Sequence, residues 1–124
     1  MKLSEKKHTQ TKACQTINLS YLKEISMGDA GFEREMAEKF ISIIADELIH
    51  LTHCLEKKNY EALKRTVHKM KSTVYLMGLK PKLNAALEAV EYDNLTHNQF
   101  KQHINQIVSV CEMAKEEVRM FLID

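Results

Sequence analysis

The pattern that most constrains this chain is a run of apolar side chains at alternating intervals of three and four residues. Tyr60, Leu63, Val67, Met70, Val74 and Met77 step by 3, 4, 3, 4 and 3. Phe100, Ile104, Ile107, Cys111, Ala114, Val118 and Phe121 step by 4, 3, 4, 3, 4 and 3. Such spacing lays one apolar stripe along an α-helix, which turns about 100° per residue, whereas a half-buried strand needs alternation by two. Two more stripes run through Phe32, Met36, Phe40, Ile43, Ile44, Leu48, Leu51 and Leu55, and through Leu83, Ala86, Leu87 and Val90. With three glycines and one proline in 124 residues, little interrupts them. An all-α fold follows. Four helices with one stripe each, joined by short connections, bury those stripes most economically as an antiparallel up-down four-helix bundle.

The punctuation between stripes agrees with helix chemistry. A short amphipathic helix is expected over residues 19–26, stopped by Gly28 and covering the open end of the bundle. Asp29 and Asn59 are suited to accept hydrogen bonds from the free amides that open the next two helices. The first of these ends near Lys57, and Gly78 is the structural turn that closes the second. Pro81 is tolerated in a first turn, "EYDN" breaks the following helix, and Thr96 with Gln99 forms a capping box for the last. Residues 1–16 lack periodicity and read as a flexible polar tail, leaving residues 17–124 as the bundle domain.

Bulk properties exclude several classes. The formal net charge is +1, so nothing global favours nucleic acid, and the basic run "KKHTQTK" lacks the aromatic interleaving of a nucleic-acid arm. No apolar run approaches the ~18 residues of a membrane span, and the polar N-terminus lacks the apolar core of a signal peptide. Cys14, Cys54 and Cys111 are odd in number and widely spaced, which suits free thiols in a cytoplasmic protein better than a disulfide framework.

One residue stands apart. On an ideal helix His68 points roughly 220° away from the centre of its own stripe. Lys64, Arg65, Lys71, Ser72 and Tyr75 share its face within about 60°, with Lys69 further round. The expectation is a solvent-facing imidazole fenced by cations, with no carboxylate on that face. Nearby positive charge disfavours the imidazolium and leaves a ring nitrogen with a lone pair able to attack phosphorus. The same cations suit a dianionic phosphoryl group once it arrives, whereas a metal cation would be repelled. On helix geometry alone, an exposed histidine on a basic face is most often simply solvated.

Other constellations carry less. His50 and Cys54 have the i, i+4 spacing of a metal pair and His53 lies close by, but no further ligand spacing supports zinc. His97 and His103 have no carboxylate partners in the sequence and read as solvated. Glycine-rich phosphate loops, Ser-His-Asp sets and paired carboxylates do not emerge, which argues against a self-contained enzyme.

Around His68 the sequence resembles the histidine phosphotransfer domain of multistep phosphorelays. The family pattern of histidine, any residue, apolar residue, lysine, glycine, small hydroxylic residue and a later glycine is met by His68, Lys69, Met70, Lys71, Ser72, Thr73 and Gly78. Upstream, "LSYLKEISMGDAGFEREMAEKFI" resembles the family's opening, and the likeness spans residues 18–122. The resemblance implies a four-helix bundle with an extra short helix, a phosphoacceptor at His68 and a phosphoryl-steadying Lys71. It implies a two-component phosphocarrier that needs no cofactor and is not an enzyme. Its partners would be the receiver domains of response regulators and a hybrid sensor histidine kinase, with the receivers supplying Mg²⁺ and the acid groups. Neither nucleic acid nor membrane is implied, and a monomer is expected.

Two positions depart from the family pattern. Ser72 stands where glycine is usual, and the glutamine that often contacts the histidine from the next helix has no assigned counterpart near Val90 and Glu91. Ile49, level with His68 on the preceding helix, and Ile41 at the edge of that helix's stripe are expected to form the docking patch. The alternative from a different class is a scaffold or regulator that binds a receiver or kinase domain without phosphotransfer, and Ser72 is the feature that keeps it open.

Overall fold

The computed structural model describes residues 16–123, which form five helices packed against one another, with no strand among them. They are α1 (Ser20–Ser26), α2 (Ala30–Glu56), α3 (Tyr60–Leu76), α4 (Lys80–Tyr92) and α5 (His97–Ile123). Helix α2 packs on α3 and α5, α4 packs on the same two, and α1 lies against α2. No described helix is long and apolar enough to cross a membrane.

Each boundary has a local cause. The Asp29 carboxylate accepts from the Phe32 amide at 3.1 Å, and the Asn59 side chain accepts from the Ala62 amide at 3.2 Å. Thr96 and Gln99 satisfy one another reciprocally: Thr96 N donates to Gln99 Oε1 at 2.9 Å and Gln99 N to Thr96 Oγ1 at 3.2 Å. Pro81 falls in the first turn of α4, where its missing amide costs nothing.

The stripes of α3, α4 and α5 converge as their spacing requires. Leu63, Val67, Met70 and Val74 of α3, Leu83, Leu87 and Val90 of α4, and Ile104, Ile107 and Val118 of α5 are all buried. Each such side chain contributes about 1.5–3 kcal/mol by leaving water. Helix α2 departs from its expected stripe. Phe40, Ile44, Leu48 and Leu51 face the core together with Ala37 and Cys54, but Phe32 and Ile43 lie at the surface. Both sit on the flank that turns toward α1 and α3. The full run of eight residues spans a wider arc than one core-facing stripe, so its edge is left outside.

Of the polar tail expected at residues 1–16, residues 1–15, with Cys14 and the basic run, lie outside the described residues. Thr16 is itself buried, and its amide and that of Ile17 donate to the Glu117 carboxylate of α5 at 2.9–3.1 Å. Asn18 N then donates to Met77 O at 2.9 Å, which lays this segment across the turn between α3 and α4. Gly78 makes that turn possible. Its φ is +74°, and a Cβ there would lie 2.5 Å from the Asn18 carbonyl oxygen and 2.9 Å from the Asn18 nitrogen. Replacing Gly78 by alanine therefore incurs the left-handed penalty of roughly 1–2 kcal/mol and displaces backbone as well, for a total of at least about 2 kcal/mol. Chemical denaturation of Gly78→Ala measures this; a loss below about 0.5 kcal/mol would mean that the segment at Asn18 yields freely.

Candidate functional site

Helices α3 and α4 run antiparallel away from the Gly78 turn, and a ladder of polar contacts marks the register. Tyr75 Oη donates to Asn84 Oδ1 at 2.7 Å, Lys71 Nζ donates to Glu88 Oε2 at 2.7 Å, and Lys64 Nζ donates to the Val90 and Asp93 carbonyls at 3.1 Å. His68 occupies the middle rung. Its side chain is 65% exposed, and Nδ1 lies 2.5 Å from Glu91 Oε2, whose own side chain is only 11% exposed. The ring projects outward, as its place on the helix requires. Its neighbourhood differs from the expected fence of cations free of carboxylates: Glu61, two turns before His68 on α3, lines the same groove, and α4 delivers the Glu91 carboxylate to the ring itself.

That carboxylate defines the chemistry of the ring. An anionic oxygen against Nδ1 accepts its proton in a hydrogen bond, so the neutral imidazole is held as the Nδ1–H tautomer and the lone pair resides on Nε2. The opposite edge of the ring is left for reaction. The other carboxylate oxygen, Glu91 Oε1, is buried and makes no directional hydrogen bond; the Lys71 ammonium, 2.5 Å away, is its partner in an ion pair. Lys71 thus joins Glu91 to Glu88 and also sits 4.9 Å from the centre of the Tyr92 ring.

The charges stabilise one another. Burial opposes ionisation of Glu91, yet the close Lys71 ammonium, with the hydrogen bond and charge of His68, outweighs it and holds the carboxyl below the ordinary carboxylate range. Burial likewise disfavours the Lys71 ammonium, and Glu88 and Glu91 more than compensate, keeping it protonated well above the ordinary lysine range. Burial also pushes the Tyr75 phenol up, with Lys71 opposing and Glu88 and Glu91 adding to the effect.

The remaining expected site residues divide into two groups. Lys64 faces α4 and is committed to backbone carbonyls, with Nζ also 5.3 Å from the Phe100 ring centre. Arg65 and Lys69 are exposed and line the same open groove as His68, Glu91 and Tyr92, about 460 Å³ in volume. Neither is in an ion pair among the described residues. Ser72 is exposed and borders a separate apolar groove that includes Tyr21, Ile25 and Ile43.

The structure does not bring the expected docking residues to His68. Ile49 is 70% exposed, but it lines a groove between α2 and α5 with Leu48, Thr52 and Val108. Ile41 is partly buried against the core. Helical phase explains this: Ile41 and Ile49 fall on the α5 side of the α2 stripe, whereas Ile43 falls on the α3 side.

Elsewhere, His50 Nε2 lies 3.6 Å from the buried Cys54 sulfur, and the Tyr60 hydroxyl is 2.6 Å from His97 Nδ1. Among the described residues no three His, Cys, Asp or Glu side chains come together as a metal site. Burial pushes the Cys111 thiol up to about 12, so it stays protonated and unreactive at neutral pH.

Glu91 and Glu88 are the functional neighbours that the stripe analysis did not supply. A signal was present in the sequence: Glu88 stands ten residues beyond Gly78, as His68 stands ten before it, and Glu91 is one turn further on. Comparison with family models, curated proteins and solved structures finds no match to this chain.

The depressed Glu91 carboxyl sets a pH window. A carboxyl with a lowered folded value adds stability that is complete above its unfolded range and is lost as pH falls through the folded value. Glu91→Gln is therefore expected to cost about 1–2 kcal/mol near neutral pH. Urea denaturation across pH should show the difference between the two proteins closing below about pH 4.5. A gap of constant size down to about pH 3 would contradict this assignment of charge.

Proposed function

We propose that this protein is a histidine phosphotransfer protein. In this reading it is an antiparallel up-down four-helix bundle with an additional short helix, and it relays a phosphoryl group between receiver-domain aspartates through His68. The observation that carries the reading is the pairing of an outward imidazole with a buried carboxylate on Nδ1. That arrangement is the one a nucleophilic histidine needs, since it fixes the tautomer and leaves Nε2 free.

The step is an in-line displacement. The Nε2 lone pair attacks phosphorus while the bond from phosphorus to the partner's aspartyl oxygen breaks, its electron pair leaving on that carboxylate. Arg65 and Lys69, exposed beside the ring, meet the phosphoryl oxygens first. Lys71 joins them by exchanging its contact with Glu88, the more exposed of its two carboxylate partners. The receiver brings Mg²⁺ and its own acid groups, so this chain contributes position and charge.

Docking falls on the apolar groove beside Ser72, which stands one helical turn from His68, and there Tyr21, Ile25 and Ile43 present carbon to solvent. A hydroxymethyl group in place of hydrogen at Ser72 narrows the approach and favours partners with a small or polar group opposite it.

Incubation with a phosphorylated receiver should place an acid-labile, alkali-stable label on the wild-type chain and none on His68→Gln, with both proteins equally folded by circular dichroism. Label persisting on His68→Gln refutes the assignment. Binding without any label would instead support a scaffold that recognises a receiver or kinase. Ile43→Glu is expected to slow labelling by a phosphorylated receiver at least about tenfold, the effect of losing roughly 1.4 kcal/mol of docking, while Ile49→Glu leaves the rate unchanged. Stopped-flow transfer kinetics on the two variants test this placement.

A further inference from the structure

Phosphorylation alters the ring that Glu91 holds. The tautomer that reacts carries its proton on Nδ1, which faces Glu91 Oε2 at 2.5 Å. When Nε2 bonds to phosphorus its lone pair is consumed, and the ring, still carrying Nδ1–H, becomes a cationic phosphoimidazolium. In plain water that proton is released as pH rises through the neutral range, leaving a neutral phosphoimidazole. The neutral form holds phosphorus more tightly, because the departing nitrogen would leave as an imidazolate.

Resting on the phosphocarrier reading, we propose that Glu91 is a positioning residue that keeps phosphorylated His68 in its phosphoimidazolium form, making it a rapid phosphoryl donor and a short-lived store. The carboxylate is largely buried, lies against Nδ1 and is itself anchored by Lys71, so it stays in place when the ring charges. Its ionised form is favoured, so the proton stays on the ring and does not pass to oxygen. In the donating step an acceptor oxygen attacks phosphorus and the N–P bond breaks with its pair returning to Nε2. The ring then leaves as the same neutral Nδ1–H imidazole that began the cycle. No proton has to be gained or lost in either direction.

The surrounding charges do not replace this function. On α3, Lys64 and Lys71 are committed to partners on α4, while Glu61, Arg65 and Lys69 are exposed. On α4, Glu88 and Tyr92 face Lys71, and from α2 Lys39 lines the separate groove at Ser72. Among the described residues, Glu91 is the carboxylate bonded to the imidazole.

The test uses phosphoramidate, a small-molecule donor that needs no receiver, on the full chain and on Glu91→Gln, Glu88→Gln and His68→Gln. The half-life of the phosphohistidine is followed by phosphorus NMR from about pH 5.5 to about pH 8.5, the span over which an ordinary imidazole titrates. Wild-type half-life should be nearly independent of pH across this span. For Glu91→Gln it should lengthen as pH rises, outlasting wild type by up to about a hundredfold at the upper end, two pH units above the ordinary imidazole value of about 6.5. The two should converge at the lower end, where both rings are protonated. Glu88→Gln, which loosens Lys71 but spares the Nδ1 contact, should match wild type.

Equal half-lives at high pH, a ratio that does not vary with pH, or an equal effect of Glu88→Gln would overturn the inference while leaving the phosphocarrier intact. A wild-type half-life that lengthens with pH like that of free phosphohistidine overturns it without any variant. Failure of the wild-type chain to take label above the His68→Gln background sinks the phosphocarrier reading, and this inference with it.

Discussion

A reversal of the chain at Gly78 governs the rest of the molecule. The backbone there takes a left-handed turn against the main chain of Asn18, where no side chain fits, and α4 is sent back along α3 in a single register. Every polar contact between the two helices follows from that register, from Tyr75 with Asn84 near the turn to Lys64 with the end of α4. His68 meets Glu91 because it stands at the matching height. Slipping α4 by one residue would rotate Glu91 about 100° away from the imidazole and turn Val90 out of the core, so burial and site geometry are fixed by the same turn.

The site is a chain of alternating charge rather than a cluster of one sign. His68, Glu91, Lys71 and Glu88 are linked in order, with the inner members sheltered and the imidazole at the open end. Partially buried ions are tolerated when each has a partner, and here each does. The outer cations, Arg65 and Lys69, are left to water. Held from behind and open in front, the imidazole can present one nitrogen while the other is fixed, an asymmetry that a solvated surface histidine lacks.

Much of this could be read from the residues in order. The 3/4 spacing placed the helices, and Asp29, Asn59, Thr96 with Gln99, and Gly78 marked their ends because capping is chemistry between near neighbours. The outward direction of His68 was legible for the same reason, since the phase of a helix is set by its own core residues. The edge of α2 was not. Phe32 and Ile43 belong to its apolar run, but whether such positions are covered depends on how far neighbouring helices wrap around them.

The sequence by itself therefore determined the helices, their caps and the face on which His68 stands, all of which depend on contacts within a few residues. Tertiary structure alone decided what faces that histidine: Glu91 comes from 23 residues away, and its arrival depends on the register of two packed helices. It decided as well that Ile43 and not Ile49 lies toward α3, because a side chain's phase on its own helix does not reveal which neighbour occupies each flank. Local periodicity fixes direction; only packing supplies the partner.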